Sequence, residues 1–254
     1  MLKINIIPCL QDNYSYVIQD TDTDTIGIVD PSEFTPIDNF IKKKFKTINF
    51  ILNTHHHFDH VGGNLELKKK YNPKIVGSII DDKRIPGIDI KLSDNDIFKF
   101  GNIEFKTMHV PGHTSGHVCF YSKKEKIIFT GDTLFSLGCG RVFEGTYLQM
   151  LKSLSNIKKL PKDTSIYCGH EYTKKNLEFC KKYEFNNSLL KEKENWINSK
   201  LNKKEPTIPT TIEEEINTNI FLRCDDLGIK KYLGMEYSPE LEIFKKLRDL
   251  KDSF

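Results

Sequence analysis

Arginine is scarce in this chain: of 38 basic residues among 254, only Arg84, Arg141, Arg223 and Arg248 are arginines, and the rest are lysines. With 35 acidic residues the formal net charge is +3, too small at this length to mark a nucleic-acid binder. The lysines are spread along the chain and nearly balanced by acids, so no basic exosite is expected. Long apolar runs are also missing. No stretch approaches the roughly 18 consecutive apolar residues of a membrane span, and the apolar opening Met1 to Pro8 is too short for a signal-peptide core. The six cysteines (Cys9, Cys119, Cys139, Cys168, Cys180 and Cys224) form neither a C-x-x-C pair nor a dense disulfide framework. Lys251-Asp252-Ser253-Phe254 is neither a prenylation box nor a retention signal. These absences lead to the expectation of a soluble protein in a reducing, cytoplasmic compartment.

The aromatic content of 11% is far above that of a solvated tail, and the length suits one large domain or a domain with a smaller appendage. Short β-rich runs recur at Ile4–Ile7, Tyr14–Gln19, Thr25–Val29, Asn49–Leu52, Ile75–Gly77, Ile97–Phe100, Ile103–His109, His117–Tyr121, Lys126–Thr130 and Ser165–Cys168. Gly, Pro, Asn and Asp clusters break them. Helical patterns lie at Pro36–Lys44, Asn64–Tyr71 and Tyr147–Leu160. The last opens on a Thr146/Gln149 capping box, and Leu148, Leu151, Leu154 and Ile157 repeat at three-residue spacing. Beyond Tyr172 the strand signal fades. Thr173–Tyr183, Asn187–Leu201, Thr211–Asn217 and Pro239–Leu250 read as helices, with Glu205–Thr211 a stiff linker among them. A mixed α/β body over residues 1–172 and a helical subdomain over 173–254 are expected.

One segment outweighs the rest: Thr54-His55-His56-His57-Phe58-Asp59-His60-Val61-Gly62-Gly63, directly after an apolar strand. His55 and His57 are two apart and can share one metal ion, while Asp59 and His60 on the following turn can serve a second. A surface polyhistidine tract would lack both the apolar flank and the interleaved Asp. Three further segments place a ligand-type residue where a strand ends: His113, Asp132 and His170. Singly, each reads as an ordinary turn residue. Together the set holds five His and two Asp, enough for six terminal ligands and one bridging carboxylate. No Ser-His-Asp or Cys-His triad has convincing placement.

T-H-x-H-x-D-H followed by single His, Asp and His at strand ends resembles the metallo-β-lactamase superfamily. The finer resemblance is to the glyoxalase II (hydroxyacylglutathione hydrolase) family. It rests on Asp12-Asn13-Tyr14, Thr54–Gly63, Pro111–His117, Phe129–Phe135, Gly138-Cys139-Gly140, Glu144-Gly145-Thr146 and Cys168–Thr173, and in the tail on Asn219–Arg223 and Arg248-x-x-Lys251. The resemblance implies a mixed α/β fold, a four-layer αββα sandwich with the helical subdomain at its C-terminus. It implies two divalent ions, zinc foremost with iron or manganese as alternatives. His55, His57 and His113 would hold the first ion, Asp59, His60 and His170 the second, and Asp132 would bridge both.

The implied reaction is hydrolysis of S-(2-hydroxyacyl)glutathione, S-D-lactoylglutathione above all, to D-lactate and glutathione in methylglyoxal detoxification. Asp59 would orient the nucleophile beside the bridging Asp132, and Arg141, Phe143, Tyr172, Arg248 and Lys251 would bind the glutathione moiety. Arg141-Val142-Phe143 departs from the family's usual Lys-Phe-Tyr: the charge is kept, but a substrate-binding hydroxyl is lost. His56 and His117 are expected to support the site, His109 has no assigned role, and Cys139 reads as a tight-loop residue. The partner expected is a glutathione thioester, with neither nucleic acid nor membrane, on a monomer or weak homo-oligomer. A persulfide dioxygenase and an RNA-processing hydrolase of the same superfamily are the rival readings.

Overall fold

The computed structural model describes residues 1–184 and 186–254. A first sheet is built in chain order from β1 (Leu2–Cys9), β2 (Asn13–Asp20), β3 (Thr25–Val29), β4 (Phe50–Leu52), β5 (Lys74–Ser78) and β6 (Ile90–Leu92). The first three strands are antiparallel, whereas β3 to β6 are parallel. Parallel neighbours need crossovers, and α1 (Phe34–Lys44), α2 (Phe58–Val61) and α3 (Asn64–Tyr71) lie in them. Register aligns Ile28, Ile51 and Ile75 across the sheet, and these pack with Ile37, Ile41 and Leu67 of the helices. Tyr14, Tyr16 and Ile18 point to the other face, as the two-residue period of a strand requires.

The second sheet runs β7 (Ile97–Phe100), β8 (Ile103–His109), β9 (Val118–Ser122), β10 (Ile127–Gly131), β13 (Ser165–Cys168) and β14 (Thr210–Thr211), with β14 and β7 at its edges. A small hairpin, β11 (Leu134–Phe135) with β12 (Gly138–Cys139), follows β10. Phe98, Phe100, Phe105, Phe120 and Phe129 fill the space between the sheets, Phe129 lying 5.3 Å from the Tyr16 ring. On the far side Cys119, Ile128 and Ile166 meet α4 (Tyr147–Lys158). The layers are helix, sheet, sheet, helix.

The α4 capping box forms in both directions between Thr146 and Gln149. Its buried face is Met150, Leu151, Leu154 and Ile157, however, and Leu148 is exposed. A strict three-residue step drifts around a helix of 3.6 residues per turn, so the first leucine leaves the contact stripe. The tail contains α5 (Thr173–Tyr183), α6 (Ser188–Asn202), α7 (Ile212–Thr218), α8 (Leu227–Tyr232) and α9 (Glu240–Asp252). Several short elements lie outside the sequence expectation, α8 and the β11–β12 hairpin among them. The end of the Glu205–Thr211 linker forms β14, pairing Thr211 with Ser165 and Thr210 with Ile166, and Ile90–Leu92 forms β6. Elements of two and three residues are too short for a periodicity to register. They exist because a neighbouring strand edge supplies backbone partners.

The tail shares one apolar cluster with α4, Phe179, Phe221, Phe244 and Leu247 all lying in it. It also grips the β11–β12 hairpin by its backbone. Asn176 Nδ2 donates to Ser136 O at 2.9 Å, Asn219 Nδ2 to Gly138 O at 3.0 Å, and Arg248 to Cys139 O at 2.7 Å. The Leu137 amide donates to Glu215 Oε2 at 2.7 Å. Among the described residues, no helix is long and apolar enough to cross a membrane.

Candidate metal centre

The ligand-type residues gather where strands of both sheets end. His55 and His57 follow β4, His113 follows β8, Asp132 follows β10 and His170 follows β13. β10 and β13 are parallel neighbours, so their ends deliver Asp132 and His170 side by side. Two glycines keep the floor clear. A Cβ on Gly131, whose φ is +47°, would lie 2.4 Å from Thr54 Oγ1, and one on Gly169 would lie 2.3 Å from Asp132 Oδ1.

Two groups of three donors result. The donor atoms of His55, His57 and His113 lie within 4.8 Å of one another, and so do those of Asp59, His60 and His170. Asp132 stands between the groups. Its Oδ2 is 3.5 Å from His113 Nε2 and 3.2 Å from His170 Nε2, and its Oδ1 is 3.3 Å from His60 Nε2. Nitrogens of His57 and His113 approach to 3.0 Å.

The outer atom of four of the five rings has its own anchor. His60 Nδ1 bonds Asp30 at 3.0 Å, His170 Nδ1 bonds Asp12 at 2.9 Å, His113 Nδ1 bonds the Arg141 carbonyl at 2.9 Å and His55 Nδ1 bonds Thr54 Oγ1 at 3.0 Å. Thr54 in turn donates to Asp30 at 2.6 Å, and Asn13 donates to Asp59 at 3.0 Å. Such anchors fix ring orientation and tautomer and turn the remaining nitrogen inward. The buried atoms His55 Nε2, His60 Nε2 and Asp132 Oδ1 have no hydrogen-bond partner. Converging, buried and unpartnered atoms of this kind are costly unless cations meet them. The donor set fits two divalent ions. Asp30 also falls within reach of His55 and His60, but its oxygens are already engaged by Thr54 and His60, which makes it a support.

Burial drives His55 well below the usual 6.5, leaving it neutral as a ligand must be. At His60 burial also pushes down, yet the carboxylates of Asp132 and Asp30 prevail and lift it to about 10. Burial is likewise outweighed at His170, where Asp132, Asp59 and Asp12 raise it to about 11. The metal-free centre therefore holds protons on both rings at neutral pH, and these raised values favour protonation until the pH passes them. An ion entering the Asp59–His60–His170 group should displace about two protons at pH 7, and its affinity should climb between pH 7 and 9. Calorimetric titration in buffers of different ionisation enthalpy measures the release; a pH-independent affinity over that range would contradict it.

A cleft of about 610 Å³ opens over the centre, and all of Arg141, Phe143, Tyr172, Arg248 and Lys251 line it. Tyr172 stacks on the His170 ring at 4.6 Å. Phe143 is exposed and sets its ring edge-on to His57 and His113, at 5.9 and 5.2 Å. Arg141 is exposed, 3.5 Å from Asp252. Arg248 is buried; besides the Cys139 carbonyl it holds Asp252 at 2.9 Å, and its Nε has no partner. Lys251 donates to the Lys175 carbonyl at 3.1 Å and lies 5.0 Å from the Phe179 and Phe254 rings; burial brings it down to about 8. Three residues apart in α9, Arg248 and Lys251 share a helix face. In this structure their head groups have separate partners.

His117 stacks on His55 at 4.7 Å and accepts from the Asp132 amide at 3.1 Å. Cys139 is buried, and its thiol is pushed up by that burial, which suits a packing residue and not a nucleophile. Sequence reasoning did not single out Asp30, Lys175, Asn176 or Asp252 for the site, and Thr54 entered only as the first residue of the histidine motif. Asp12 and Asn13 entered only as part of a resembling triplet. Their partners lie up to 158 positions away, as for Asp12 and His170, and no local spacing announces such a pair.

Two family profiles divide the chain: the Metallo-beta-lactamase superfamily over residues 11–170 and the Hydroxyacylglutathione hydrolase C-terminus over residues 171–254. A hydroxyacylglutathione hydrolase of Pelagibacter ubique is 52% identical over 253 residues, covering 100% of both chains. One from Methylococcus capsulatus is 41% identical, covering 100% of this chain and 99% of its own. Among solved structures, a metallo-β-lactamase from Staphylococcus aureus superposes with a TM-score of 0.67 at 24% identity, over 99% of this chain and 72% of that one.

Proposed function

Because the chain belongs to the metallo-β-lactamase superfamily and, within it, to the hydroxyacylglutathione hydrolases, we propose that it hydrolyses S-(2-hydroxyacyl)glutathione. S-D-lactoylglutathione is the substrate proposed, giving D-lactate and glutathione in methylglyoxal detoxification. The observation that carries this reading is the Asp132 carboxylate, poised between two three-donor groups at the floor of a cation-lined cleft. When bound, a pair of divalent ions supplies a hydroxide nucleophile at neutral pH and positive charge for a developing oxyanion. Zinc is the proposed pair, with iron or manganese as alternatives, since this His/Asp donor set accepts all three.

The protein's own groups do the rest. Asp132 ties the two groups together, and Asp59, held by Asn13, presents an acceptor that can orient the attacking oxygen. The thiol leaving group departs without a strong acid, because a thiolate is far more stable than an alkoxide or amide anion. Glutathione carries two carboxylates, and Arg141, Lys251 and Arg248 line the cleft that would take it. Residues 1–172 would thus supply the metal centre, and 173–254 would complete the substrate cleft. We further propose a cytoplasmic protein, a monomer or weak homo-oligomer, without nucleic-acid partners. The match of residues 171–254 to the hydrolase C-terminus disfavours the dioxygenase and RNA-processing readings.

Purified protein should release thiol from S-D-lactoylglutathione, lose that activity on chelation and regain it with Zn²⁺, Fe²⁺ or Mn²⁺. Undiminished hydrolysis by protein verified as metal-free would refute the reading. Phe143→Tyr restores a hydroxyl at the cleft wall; a new neutral hydrogen bond is worth about 0.5–1.5 kcal/mol. KM for the glutathione thioester should fall by roughly threefold to tenfold with kcat little changed. An unaltered KM would remove Phe143 from the substrate contact.

A further inference from the structure

Beside the first donor group lies a charged cluster that contributes no proposed ligand. Arg84 Nη1 donates to Glu144 Oε1 at 2.7 Å and Nη2 to Ser115 Oγ at 2.8 Å, while Nε reaches Asp81 Oδ1 at 3.1 Å. Glu144 Oε2 accepts from both the amide and the hydroxyl of Ser115, each at 2.8 Å. Asp81 is fully buried, and its other oxygen is 3.2 Å from His56 Nδ1. The neighbouring loop runs directly over this carboxylate, for a Cβ on Gly116 would lie 2.1 Å from Asp81 Oδ1.

The contacts join two particular loops. His56 sits between His55 and His57, and Ser115 follows His113 by two positions. The amides of Phe143 and Glu144 both donate to the His113 carbonyl, at 3.3 and 3.4 Å. The first donor group is the one assembled from these two loops. The second depends on Asp12, Asn13 and Asp30, the last of which also backs His55 through Thr54.

We infer that Arg84 is a positioning residue: its guanidinium, forked across Asp81, Glu144 and Ser115, locks the 55–57 loop against the 113–116 loop and so sets the spacing of His55, His57 and His113. A planar fork with several donors in fixed geometry can do this, whereas a lysine ammonium cannot. The inference rests on the reading of the centre as a site for two ions.

The test is titration of metal-free protein with Co²⁺, reading the hyperfine-shifted imidazole N–H signals of His113 for the first position and of His60 and His170 for the second. Arg84→Gln and Glu144→Gln cut opposite arms of the clamp. Each should weaken Co²⁺ binding at the first position by about 10- to 100-fold, the usual cost of losing an outer support, and leave the second position unchanged. Arg84→Lys should not restore the first position. A thermal midpoint close to that of the parent protein identifies a folded variant. Wild-type affinity at the first position in both variants overturns the inference, and so does a parallel loss at both positions. If the parent protein binds no Co²⁺ at either position, the two-ion reading itself fails, a result distinct from failure of the clamp.

Discussion

Replacing Asp132 with alanine is expected to lower kcat/KM for S-D-lactoylglutathione by about 10³-fold or more, equivalent to about 4 kcal/mol of transition-state stabilisation. Asp132 faces both donor groups: its two oxygens lie within 3.5 Å of nitrogens from His113, His60 and His170. Removing it withdraws one ligand from each proposed ion and the carboxylate proposed to hold the pair together. Asp132→Asn should be nearly as damaging, because it keeps the shape and removes the charge. The carboxylate is held well below the usual range, burial opposing and His170 and His60 prevailing, so it is an anion throughout the working pH. Metal content and steady-state kinetics check this together. Two bound ions and activity within tenfold of the parent protein in the Asn variant would show that Asp132 does not bridge.

Glu215→Ala should cost stability on a similar scale, about 3–5 kcal/mol, as expected when one partner of a buried ion pair is removed. Glu215 is fully buried and accepts from Lys193 Nζ at 2.9 Å, Thr210 Oγ1 at 2.7 Å, Asn219 Nδ2 at 2.9 Å and the Leu137 amide at 2.7 Å. The alanine variant leaves the buried Lys193 ammonium, 7% exposed, with the longer carboxylate contact to Glu214 at 3.4 Å, and an orphaned amide in the β11–β12 hairpin. A fall in Tm of roughly 10 °C follows for a chain of this length. Pairing it with Lys193→Met should recover part of the loss by removing the poorly paired charge, but not the part owed to Leu137 and Asn219. The effect should reach the cleft, since the hairpin leads into Cys139-Gly140-Arg141 and the Arg141 carbonyl anchors His113. Urea unfolding of the single and double variants decides it; a Glu215→Ala change below about 1 kcal/mol, a typical single hydrogen bond, would contradict the argument.

The grouping of donor-type side chains was legible in the chain because residue type and short spacing announce it. Three of the donors that group around Asp132 fall within Thr54–Gly63 alongside Asp59, and the remaining His and Asp each stand directly after a β-rich run. Strands with five to eight residues of alternating or fully buried pattern were equally readable, as in β2 and β8. β14 was not, because two threonines after a proline have no pattern of their own and become a strand only against β13. Leu148 shows the same limit in a helix: the spacing suggested a stripe, but which residues lie on it depends on what packs opposite.

The four arginines, the scarcest charged residues here, mark the division between the two kinds of information. Their chemistry follows from the sequence alone: each is a permanent cation with a forked donor set, suited to carboxylates. Three of them meet a carboxylate three or four residues along their own segment, Asp81 for Arg84, Asp226 for Arg223 and Asp252 for Arg248, and tertiary packing decided the distant partners. Arg84 is spent on Asp81 and Glu144, Arg223 on Glu184 and Asp226, and Arg248 is buried against the Cys139 carbonyl and Asp252, whereas Arg141 remains exposed at the cleft mouth. Ligand identity is a local property of side chains and their spacing. The distant partners, the burial and the free valence of a long cation are set by contacts between segments dozens of residues apart, and these exist only once the sheets and the tail have packed.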